Sequence, residues 1–428
     1  MENPSYHPRI CDDYLKRKLR SSGAVLIIGP KWCGKTWTGL NVARSVIFLQ
    51  DPDKRSSYIR LAQTEPSYLL QGEKPRLIDE WQIAPVLWDA VRFAIDLDGK
   101  KGQFILTGSV VVPGNDSLAE YERREHSGTG RISRLRMRTM SLFESGESTG
   151  LVSLKSLFDG KEDIVGEGKL SITDTAFAIC RGGWPSAVDM EREDALEVAY
   201  NYVDAVCEEE ISIEGSRKNP ERMRSILRSL SRNVSTMTSD RTIISDVVAN
   251  DISLTNKTLE NYIKVLRDLF LIEDIKAWQP SIRSKTGIRT SDKRQFTDPS
   301  LAVASLGLSP EALLDDFNYF GFLFESLVVR DLRIYSEPLR GTIKHYHDNS
   351  GLESDIIISL DDGRWAAVEV KLGTKEIDMG AENLKKLSSK INTEKHSSPS
   401  FLMVVTGGKF AYRREDGVLV VPISALKD

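Results

Sequence analysis

The stretch Gly29–Thr36 contains the residue types that bind a phosphate group. It reads Gly-Pro-Lys-Trp-Cys-Gly-Lys-Thr, which fits the pattern G-x-x-x-x-G-K-T. The apolar run Ala24–Ile28 before it predicts a buried strand, and Trp37–Val46 after it has helical spacing without proline. A strand, a glycine-bounded loop and a helix form the context in which this pattern indicates phosphate binding. The sequence therefore predicts a nucleoside triphosphate site.

The residues of the predicted nucleotide-binding loop have different roles. Glycine lets the backbone turn so that successive N–H groups face a phosphate, and the following helix N-terminus adds a partial positive charge. Lys35 can reach the β- and γ-phosphates, and Thr36 can offer its hydroxyl to Mg²⁺. The predicted contacts are Gly29, Pro30, Lys31, Trp32, Cys33, Gly34, Lys35 and Thr36.

Two acids follow the next apolar strand. Residues 76–78 read Arg-Leu-Ile, and Asp79 and Glu80 come directly after them. In a P-loop ATPase, Asp79 would hold the Mg²⁺ shell and Glu80 would polarise the attacking water. The alternative is an ordinary acidic loop at a strand end. Because the acids follow a predicted phosphate loop, we favour hydrolysis.

Three more polar residues are candidates for contacts to the γ-phosphate. The apolar run at 104–106 is followed by Thr107 and, two positions later, Ser109, and either could act as a phosphate sensor. Hydroxyl residues also simply finish strands. Arg131 is a candidate arginine finger that would stabilise charge during hydrolysis. Otherwise the basic run at 131–138 is a solvated face.

Taken together, these motifs resemble the AAA-type ATPase domain of a widespread prokaryotic family. In that family the ATPase is fused to a C-terminal domain of unknown function with a restriction-endonuclease-like core. The resemblance covers nearly the whole chain and implies ATP as the nucleotide. Trp32 and Trp81 depart from the pattern and leave the choice between ATP and GTP open. The matching stretches are 29–36, Leu77–Gln82, 106–109, Gly130–Arg131 and Gly182–Pro185.

A second set of charged residues lies near the C-terminus. Glu325 falls in a predicted helix, Asp355 opens a predicted strand, and Glu369 and Lys371 end the next one. Alternate strand residues face one side, so Glu369 and Lys371 project together. The order resembles the PD-(D/E)XK nuclease core, in which Asp355 and Glu369 would bind Mg²⁺ and Lys371 would orient or activate water. E-x-K also occurs by chance, and such cores are sometimes kept for binding alone.

The region between these sites resembles a winged helix-turn-helix at about 242–298. Helices predicted at 243–249 and 255–269 precede a wing hairpin that begins at 271–277. Its basic residues fit phosphate contacts with DNA, and the alternative is a packing module or protein interface. They are Arg217, Lys218, Arg222, Arg224, Arg228, Arg232, Arg241, Lys257, Lys264, Arg283, Lys285, Arg289, Lys293 and Arg294.

Composition limits the class of protein. The chain has 428 residues, of which 40% are hydrophobic and 28% charged, and its net charge is −4. No apolar run reaches the roughly 20 residues of a membrane span, and the start lacks a signal-peptide pattern. The four cysteines are scattered, which argues against zinc and disulfides. We expect a cytoplasmic protein without a membrane partner.

The expected fold class is α/β with several domains. We predict a P-loop AAA-type ATPase domain at 1–143, a linker at 144–168, a helical region with the winged helix at 169–300, and a PD-(D/E)XK nuclease-like domain at 301–428. Two functions stay open. One is an ATPase that couples nucleotide state to DNA binding and Mg²⁺-dependent cleavage. The other is a nucleotide-gated switch or scaffold whose nuclease-like domain docks DNA or a protein partner. The AAA-type domain could also form a homo-oligomer, which a translocating motor would require.

Overall fold

The computed structural model describes residues 6–108, 130–208, 219–249, 253–279, 291–391 and 397–428, together with the backbone at 111–112, 116–117, 212–213 and 216–217. The chain forms two compact units. Unit 1 comprises residues 1–139, 210–218 and 264–270, and unit 2 comprises 140–209, 219–263 and 271–428.

Helices and strands alternate along the described chain. The helices are α1 (Cys11–Ser21), α2 (Lys35–Val42), α3 (Arg55–Thr64), α4 (Pro66–Leu69), α5 (Val86–Asp98), α6 (Leu154–Phe158), α7 (Ile172–Arg181), α8 (Pro185–Val188), α9 (Arg192–Glu208), α10 (Pro220–Arg232), α11 (Asp240–Val248), α12 (Asn256–Asp268), α13 (Pro299–Leu306), α14 (Pro310–Asp315), α15 (Phe317–Ser336) and α16 (Ile377–Lys390). The strands are β1 (Ala24–Ile28), β2 (Ser45–Phe48), β3 (Arg76–Asp79), β4 (Phe104–Thr107), β5 (Val111–Val112), β6 (Asp116–Ser117), β7 (Ile132–Arg136), β8 (Val152–Ser153), β9 (Gly166–Glu167), β10 (Ser212–Ile213), β11 (Ser216–Arg217), β12 (Lys276–Ala277), β13 (Thr342–His347), β14 (Glu353–Ser359), β15 (Trp365–Lys371), β16 (Leu402–Thr406), β17 (Phe410–Arg413), β18 (Leu419–Pro422) and β19 (Leu426–Lys427).

Unit 1 is built on a parallel sheet. Its described strands run in the order β2-β3-β4-β1-β7, and each neighbouring pair is parallel. The carboxyl ends of all five strands therefore lie at one edge, which is where open α/β sheets bind their ligands. Gly29, Asp79 and Thr107 all stand at this edge.

Alternation along β1 accounts for the two cores of unit 1. Val25 and Ile27 point to one face and pack with Leu15 of α1, whereas Ala24 and Leu26 point to the opposite face, where α5 packs. Helix α5 buries Leu87, Val91 and Ile95, which recur at every fourth position and form one apolar stripe. Both faces of the sheet are thereby covered, which explains the continuous apolar character of β1.

Unit 2 contains a mixed sheet. Its described strands run in the order β12-β13-β14-β15-β16-β18-β17-β9, with β13, β14 and β15 antiparallel and β15, β16 and β18 parallel. Helix α16 covers Ile357 and Ala367 through Ala381, Leu384 and Leu387. The middle strands β14 and β15 are mostly buried, and the polar residues Ser354 and Glu369 on them are buried as well.

Side-chain caps begin several helices of the middle region. Ser171 forms a capping box with Asp174 at the start of α7, and Asn219 accepts a hydrogen bond from the Arg222 N–H at the start of α10. Thr255 was predicted to cap α12, and its Oγ1 accepts from the Thr258 N–H at 3.2 Å. In the described part of the chain, no helix combines the length and apolar character of a membrane span.

Residues 144–168, which were predicted to be a linker, belong to unit 2. Strand β8 pairs with β19, and β9 pairs with β17. Helix α6 buries Leu154, Leu157 and Phe158. The segment is rich in glycine, serine and acidic residues, so its short strands are hard to predict from the sequence. The strands that pair with them lie beyond residue 409.

Two predicted elements have different boundaries from those expected. The helix predicted over 37–46 ends at Val42, because Val46 and Ile47 pair with Leu77 and Ile78 in the sheet. The predicted wing is not an isolated hairpin. Its first part forms antiparallel bridges with 293 and 296, but β12 also pairs in parallel with β13 and so joins the sheet of unit 2.

Candidate nucleotide site and carboxylate cluster

The glycines of the 29–36 loop are required by its backbone. Gly34 has φ 100° directly before α2, and Gly29 has φ 155° at the end of β1. A Cβ atom on Gly29 would lie 2.2 Å from the Met137 carbonyl oxygen, so no larger residue fits there without movement. Pro30, Cys33 and Lys35 are buried, Gly34 and Thr36 are half-buried, and Lys31 and Trp32 are exposed at the loop tip.

Lys35 lies inside the loop that it is predicted to serve. Its Nζ donates hydrogen bonds to the carbonyl oxygens of Gly29 at 3.0 Å and Pro30 at 2.8 Å. These contacts hold the ammonium at the carboxyl edge of the sheet, beside the N-terminus of α2. A positive charge and a helix N-terminus together form a site for anionic groups.

Asp79 is the centre of a buried polar cluster at the same edge. Its Oδ1 accepts hydrogen bonds from Thr36 Oγ1 at 2.8 Å and Thr107 Oγ1 at 2.6 Å, and its Oδ2 accepts from Gln50 Nε2 at 3.2 Å. The structure thus brings together three residues that the sequence singled out. Their oxygen donors suit Mg²⁺, which prefers carboxylate and hydroxyl ligands, so the residues at this site fit the metal that a P-loop ATPase requires.

Glu80 follows Asp79 directly and has a left-handed backbone, with φ 55°. Its carboxylate accepts a hydrogen bond from Gln82 Nε2. Gln82 in turn packs against the backbone after β4, since a Cβ on Gly108 would meet its Oε1 at 2.0 Å. Glu80 is therefore held beside Asp79 at the carboxyl edge of the sheet.

The structure does not bring every predicted residue to this edge. Arg131 precedes β7, whose first residue pairs with Ala24 at the start of β1. It therefore lies at the opposite edge of the sheet, roughly 16 Å away along a five-residue strand. There its Nε donates to Asp96 Oδ1 at 2.8 Å. Arg131 is thus poorly placed to act as an arginine finger for the nucleotide of its own chain. Ser109 lies outside the described residues.

Arg9 reaches the phosphate loop from the segment before α1. Its Nη1 donates to the Cys33 carbonyl oxygen at 2.9 Å, and its Nη2 donates to the carbonyl oxygens of Arg138 and Thr139 at 2.9 and 3.1 Å. The side chain therefore ties the loop to the last residues of unit 1. No motif spacing marks Arg9, which is why the sequence did not reveal it.

We expect Arg9→Met to raise the KM for ATP about tenfold, or about 1.4 kcal/mol, because the Cys33 carbonyl loses a charged hydrogen-bond donor and the loop loses order. Steady-state ATP hydrolysis and thermal melting measure the two effects separately. Arg20→Met removes an exposed arginine from α1 and serves as the control. A fall in melting temperature with an unchanged KM would show that Arg9 only stabilises the fold.

In unit 2 the structure brings together the four charged residues predicted near the C-terminus. Lys371 Nζ lies 2.9 Å from Glu369 Oε2 and 3.9 Å from Asp355 Oδ2. Glu369 also accepts from Asn383, and Asp355 Oδ2 accepts from the Val370 N–H at 3.0 Å. Pairing of Ile356 with Val368 gives the register that places Asp355 beside Glu369.

Lys293 is an additional member of this cluster. Its Nζ lies 2.7 Å from Glu325 Oε1 and 3.4 Å from Asp355 Oδ1, and its side chain is 13% exposed. The sequence placed Lys293 on a DNA-binding wing. In the structure Lys293 forms an antiparallel bridge with Ile275, and its side chain lies in the carboxylate cluster.

The charges of this cluster do not balance. Among the described residues it holds the carboxyl groups of Glu325, Asp355 and Glu369 and the ammonium groups of Lys293 and Lys371. Burial raises the pKa of Glu325 to about 8 and that of Glu369 to about 7. Burial would also raise the pKa of Asp355, but Lys293 and Lys371 hold it below its usual value. The raised pKa values of Glu325 and Glu369 agree with the excess of one carboxyl group over the two ammonium groups.

This arrangement does not fit Mg²⁺ on Asp355 and Glu369. Ammonium groups already lie against the carboxylate oxygens that would bind it. In the described ranges, no group of three or more histidine, cysteine, aspartate or glutamate side chains is arranged to hold a metal ion. The cluster thus holds the four residues of the predicted pattern, with ammonium groups against the oxygens of Asp355 and Glu369.

Acidic partners offset part of the basic character of the middle region. Arg224 pairs with Asp204 and Glu208, and Arg294 pairs with Asp240 and Asp274. The side chains of Arg228, Arg232, Arg241, Lys257 and Lys264 are exposed. The predicted wing residues Arg283, Lys285 and Arg289, and also Lys218, lie outside the described residues.

Comparison with known proteins identifies the N-terminal part. Residues 21–145 match the family described as an AAA domain. Residues 172–312 and 320–426 match two domains of unknown function, DUF8612 and DUF4143. A solved structure of a Walker-type ATPase from Pyrococcus abyssi is 14% identical, with a TM-score of 0.42, over 69% of this chain and 94% of that one. No curated protein matches the sequence. The match over 21–145 shows that the chain has a P-loop ATPase-like domain of α/β fold in its N-terminal part.

Proposed function

We propose that this chain is an ATP-hydrolysing switch that couples its nucleotide state to DNA binding. The observation that carries the proposal is the meeting of Lys35, Thr36, Asp79 and Thr107 at one edge of the sheet. When bound, Mg²⁺ supplies charge neutralisation on the phosphate oxygens. Thr36 and Asp79 would hold that ion.

The positions of the other residues in the site suggest a role for each of them in hydrolysis. The loop amides and Lys35 bind and orient the phosphates. Thr107 orients the Asp79 carboxylate through its 2.6 Å hydrogen bond. Glu80, held by Gln82, accepts a proton from the attacking water. Positioning and charge stabilisation supply most of the catalysis in phosphoryl transfer, so a rigid edge of this kind suits the reaction.

Arg9 supports coupling between the nucleotide and the rest of the chain. It binds the Cys33 carbonyl of the phosphate loop and the carbonyls of Arg138 and Thr139 with the same guanidinium group. Unit 2 begins at the next residue, Met140. A change in the loop on ATP binding or hydrolysis would alter the hydrogen bonds of the segment that leads into unit 2.

We place DNA on the exposed arginines of α10 and α11. Arg228, Arg232 and Arg241 are exposed, and their guanidinium groups can neutralise phosphates. The nuclease-like part of unit 2 would then be a docking domain that does not cut. This choice over Mg²⁺-dependent cleavage rests on Lys293 and Lys371, whose ammonium groups contact oxygens of Glu325 and Glu369.

Fluorescence anisotropy with a labelled DNA duplex tests this function. We expect affinities that differ between the ATP-bound Glu80→Gln variant and the ADP-bound wild type. Arg228→Ala with Arg232→Ala should weaken binding in both states and lower the salt slope by about two, since two phosphate contacts are lost.

Arg20→Ala with Arg60→Ala removes two exposed arginines of unit 1 and is the matched control. Equal DNA affinity in both nucleotide states, or equal effects of the two double variants, would contradict the proposal. The same mixtures with Mg²⁺ also report cleavage. Cutting by the wild type but not by Lys371→Ala would establish a nuclease in place of a docking domain.

A further inference from the structure

Lys293 enters the carboxylate cluster of unit 2 from outside the helix and strands that carry the acids. Its Nζ contacts one oxygen of Glu325 and one oxygen of Asp355, at 2.7 and 3.4 Å. The side chains of Glu325 and Asp355 are only 11% and 16% exposed. A cation between two buried carboxylates stands where a divalent metal would bind the same oxygens.

We propose that Lys293 is the built-in cation of this cluster, in place of a divalent metal, and that removing its ammonium group turns the cluster into a metal-binding site. The inference goes beyond the ATP-dependent switch proposed above and does not depend on it.

The backbone fixes Lys293 in this position. Its N–H donates to the Ile275 carbonyl at 2.9 Å, and its own carbonyl accepts from the Ile275 N–H at 2.8 Å. The two residues that follow are also hydrogen-bonded: the Arg294 N–H donates to the Thr236 carbonyl, and the Gln295 carbonyl accepts from the Glu273 N–H. Arg294 also pairs with Asp274. The ammonium is therefore carried on a segment that is hydrogen-bonded on two sides.

The other groups of the cluster cannot replace it. Lys371 pairs mainly with Glu369, at 2.9 Å, and is 3.9 Å from the Asp355 oxygen that faces away from Lys293. Asn383 donates to the second oxygen of Glu369. Without Lys293, the oxygens of Glu325 and Asp355 that it contacts would face each other without a cation. Three carboxyl groups would then be accompanied by a single ammonium group. This excess of carboxyl groups strongly attracts a divalent cation.

Manganese binding to the nucleotide-free full-length protein tests the proposal, with Mn²⁺ as an oxygen-preferring probe. Titrations followed by electron paramagnetic resonance compare the wild type, Lys293→Met and Lys293→Arg. We expect Lys293→Met to gain one Mn²⁺ site that is roughly tenfold or more tighter than any wild-type binding, because two buried carboxylates lose their cation. Lys293→Arg keeps the cation and should gain none. Adding Asp355→Asn to Lys293→Met should remove the gained site.

Two results would overturn the proposal. One is Mn²⁺ binding to the wild type that Asp355→Asn abolishes, since the cluster would then already hold a metal beside Lys293. The other is a Lys293→Met protein with a melting temperature near that of the wild type and no gained site. If Lys293→Met does not fold, the wild type and Asp355→Asn are compared instead. Equal Mn²⁺ binding by the two proteins supports the proposal, and weaker Mn²⁺ binding by Asp355→Asn refutes it.

Discussion

Lys35→Ala is expected to abolish measurable ATP hydrolysis and to weaken ATP binding roughly a hundredfold or more, since charged hydrogen bonds of about 1.5–3 kcal/mol each are lost. The Lys35 ammonium is buried and bound to the Gly29 and Pro30 carbonyls, 3.0 and 2.8 Å away. Without it, those carbonyl oxygens would repel the phosphates. Steady-state hydrolysis and titration with a fluorescent ATP analogue measure the two losses.

Glu80→Gln separates binding from turnover at the same site. Glutamine keeps the size of the side chain but cannot accept a proton from water, so we expect hydrolysis to fall roughly a hundredfold while ATP affinity stays within about threefold. Lys16→Ala, which removes an exposed lysine of α1, controls for the loss of a positive charge. Wild-type hydrolysis by both Lys35→Ala and Glu80→Gln would show that ATP is processed elsewhere.

The nucleotide edge could be predicted from the sequence because its residues follow strands of one parallel sheet. The loop follows β1, Asp79 ends β3 and Thr107 ends β4, so motif spacing alone brings them to one edge. Gln50 was missed because the predicted helix extended into the first two residues of β2, so no strand was predicted before Gln50. Arg9 was missed because its three carbonyl partners lie on segments that are remote in sequence.

The carboxylate cluster shows a different limit. The helix and strand pattern correctly placed Glu325, Asp355, Glu369 and Lys371 together, since the register of β14 and β15 follows from their apolar runs. The same pattern does not predict which cationic side chain lies between Glu325 and Asp355. That side chain is Lys293, which is brought there by its bridge with Ile275. The two residues are 18 positions apart, and local sequence does not encode their pairing.

Unit 2 also depends on a buried ion network that is separate from both candidate sites. Arg330 contacts Asp298 at 3.2 Å and Asp331 at 2.8 Å, and all three side chains are at most 1% exposed. Asp298 accepts from the Gly183 N–H, and Asp331 accepts from the Leu142 N–H at 3.0 Å. The network therefore joins α15 to the glycine turn before α8 and to the first residues of unit 2.

We expect Arg330→Met to lower the free energy of unfolding of unit 2 by about 3–5 kcal/mol, because two carboxylates stay buried without their cation. Urea denaturation, with hydrogen exchange followed in the amides of α15, measures the loss. Arg340→Met breaks an ion pair with Asp361 whose side chains are 66% and 53% exposed, so it should cost less than about 1 kcal/mol.

Neutralising Asp298 and Asp331 in the Arg330→Met variant tests whether its loss of stability comes from uncompensated charge or from lost packing. If the loss comes from uncompensated charge, Asp298→Asn with Asp331→Asn should recover part of the stability of Arg330→Met, whereas we expect each single aspartate change in the wild type to be destabilising. Asparagine can still accept the hydrogen bonds of the Gly183 and Leu142 amides. If the triple variant is no more stable than Arg330→Met, the guanidinium acts by filling space and the electrostatic account is wrong.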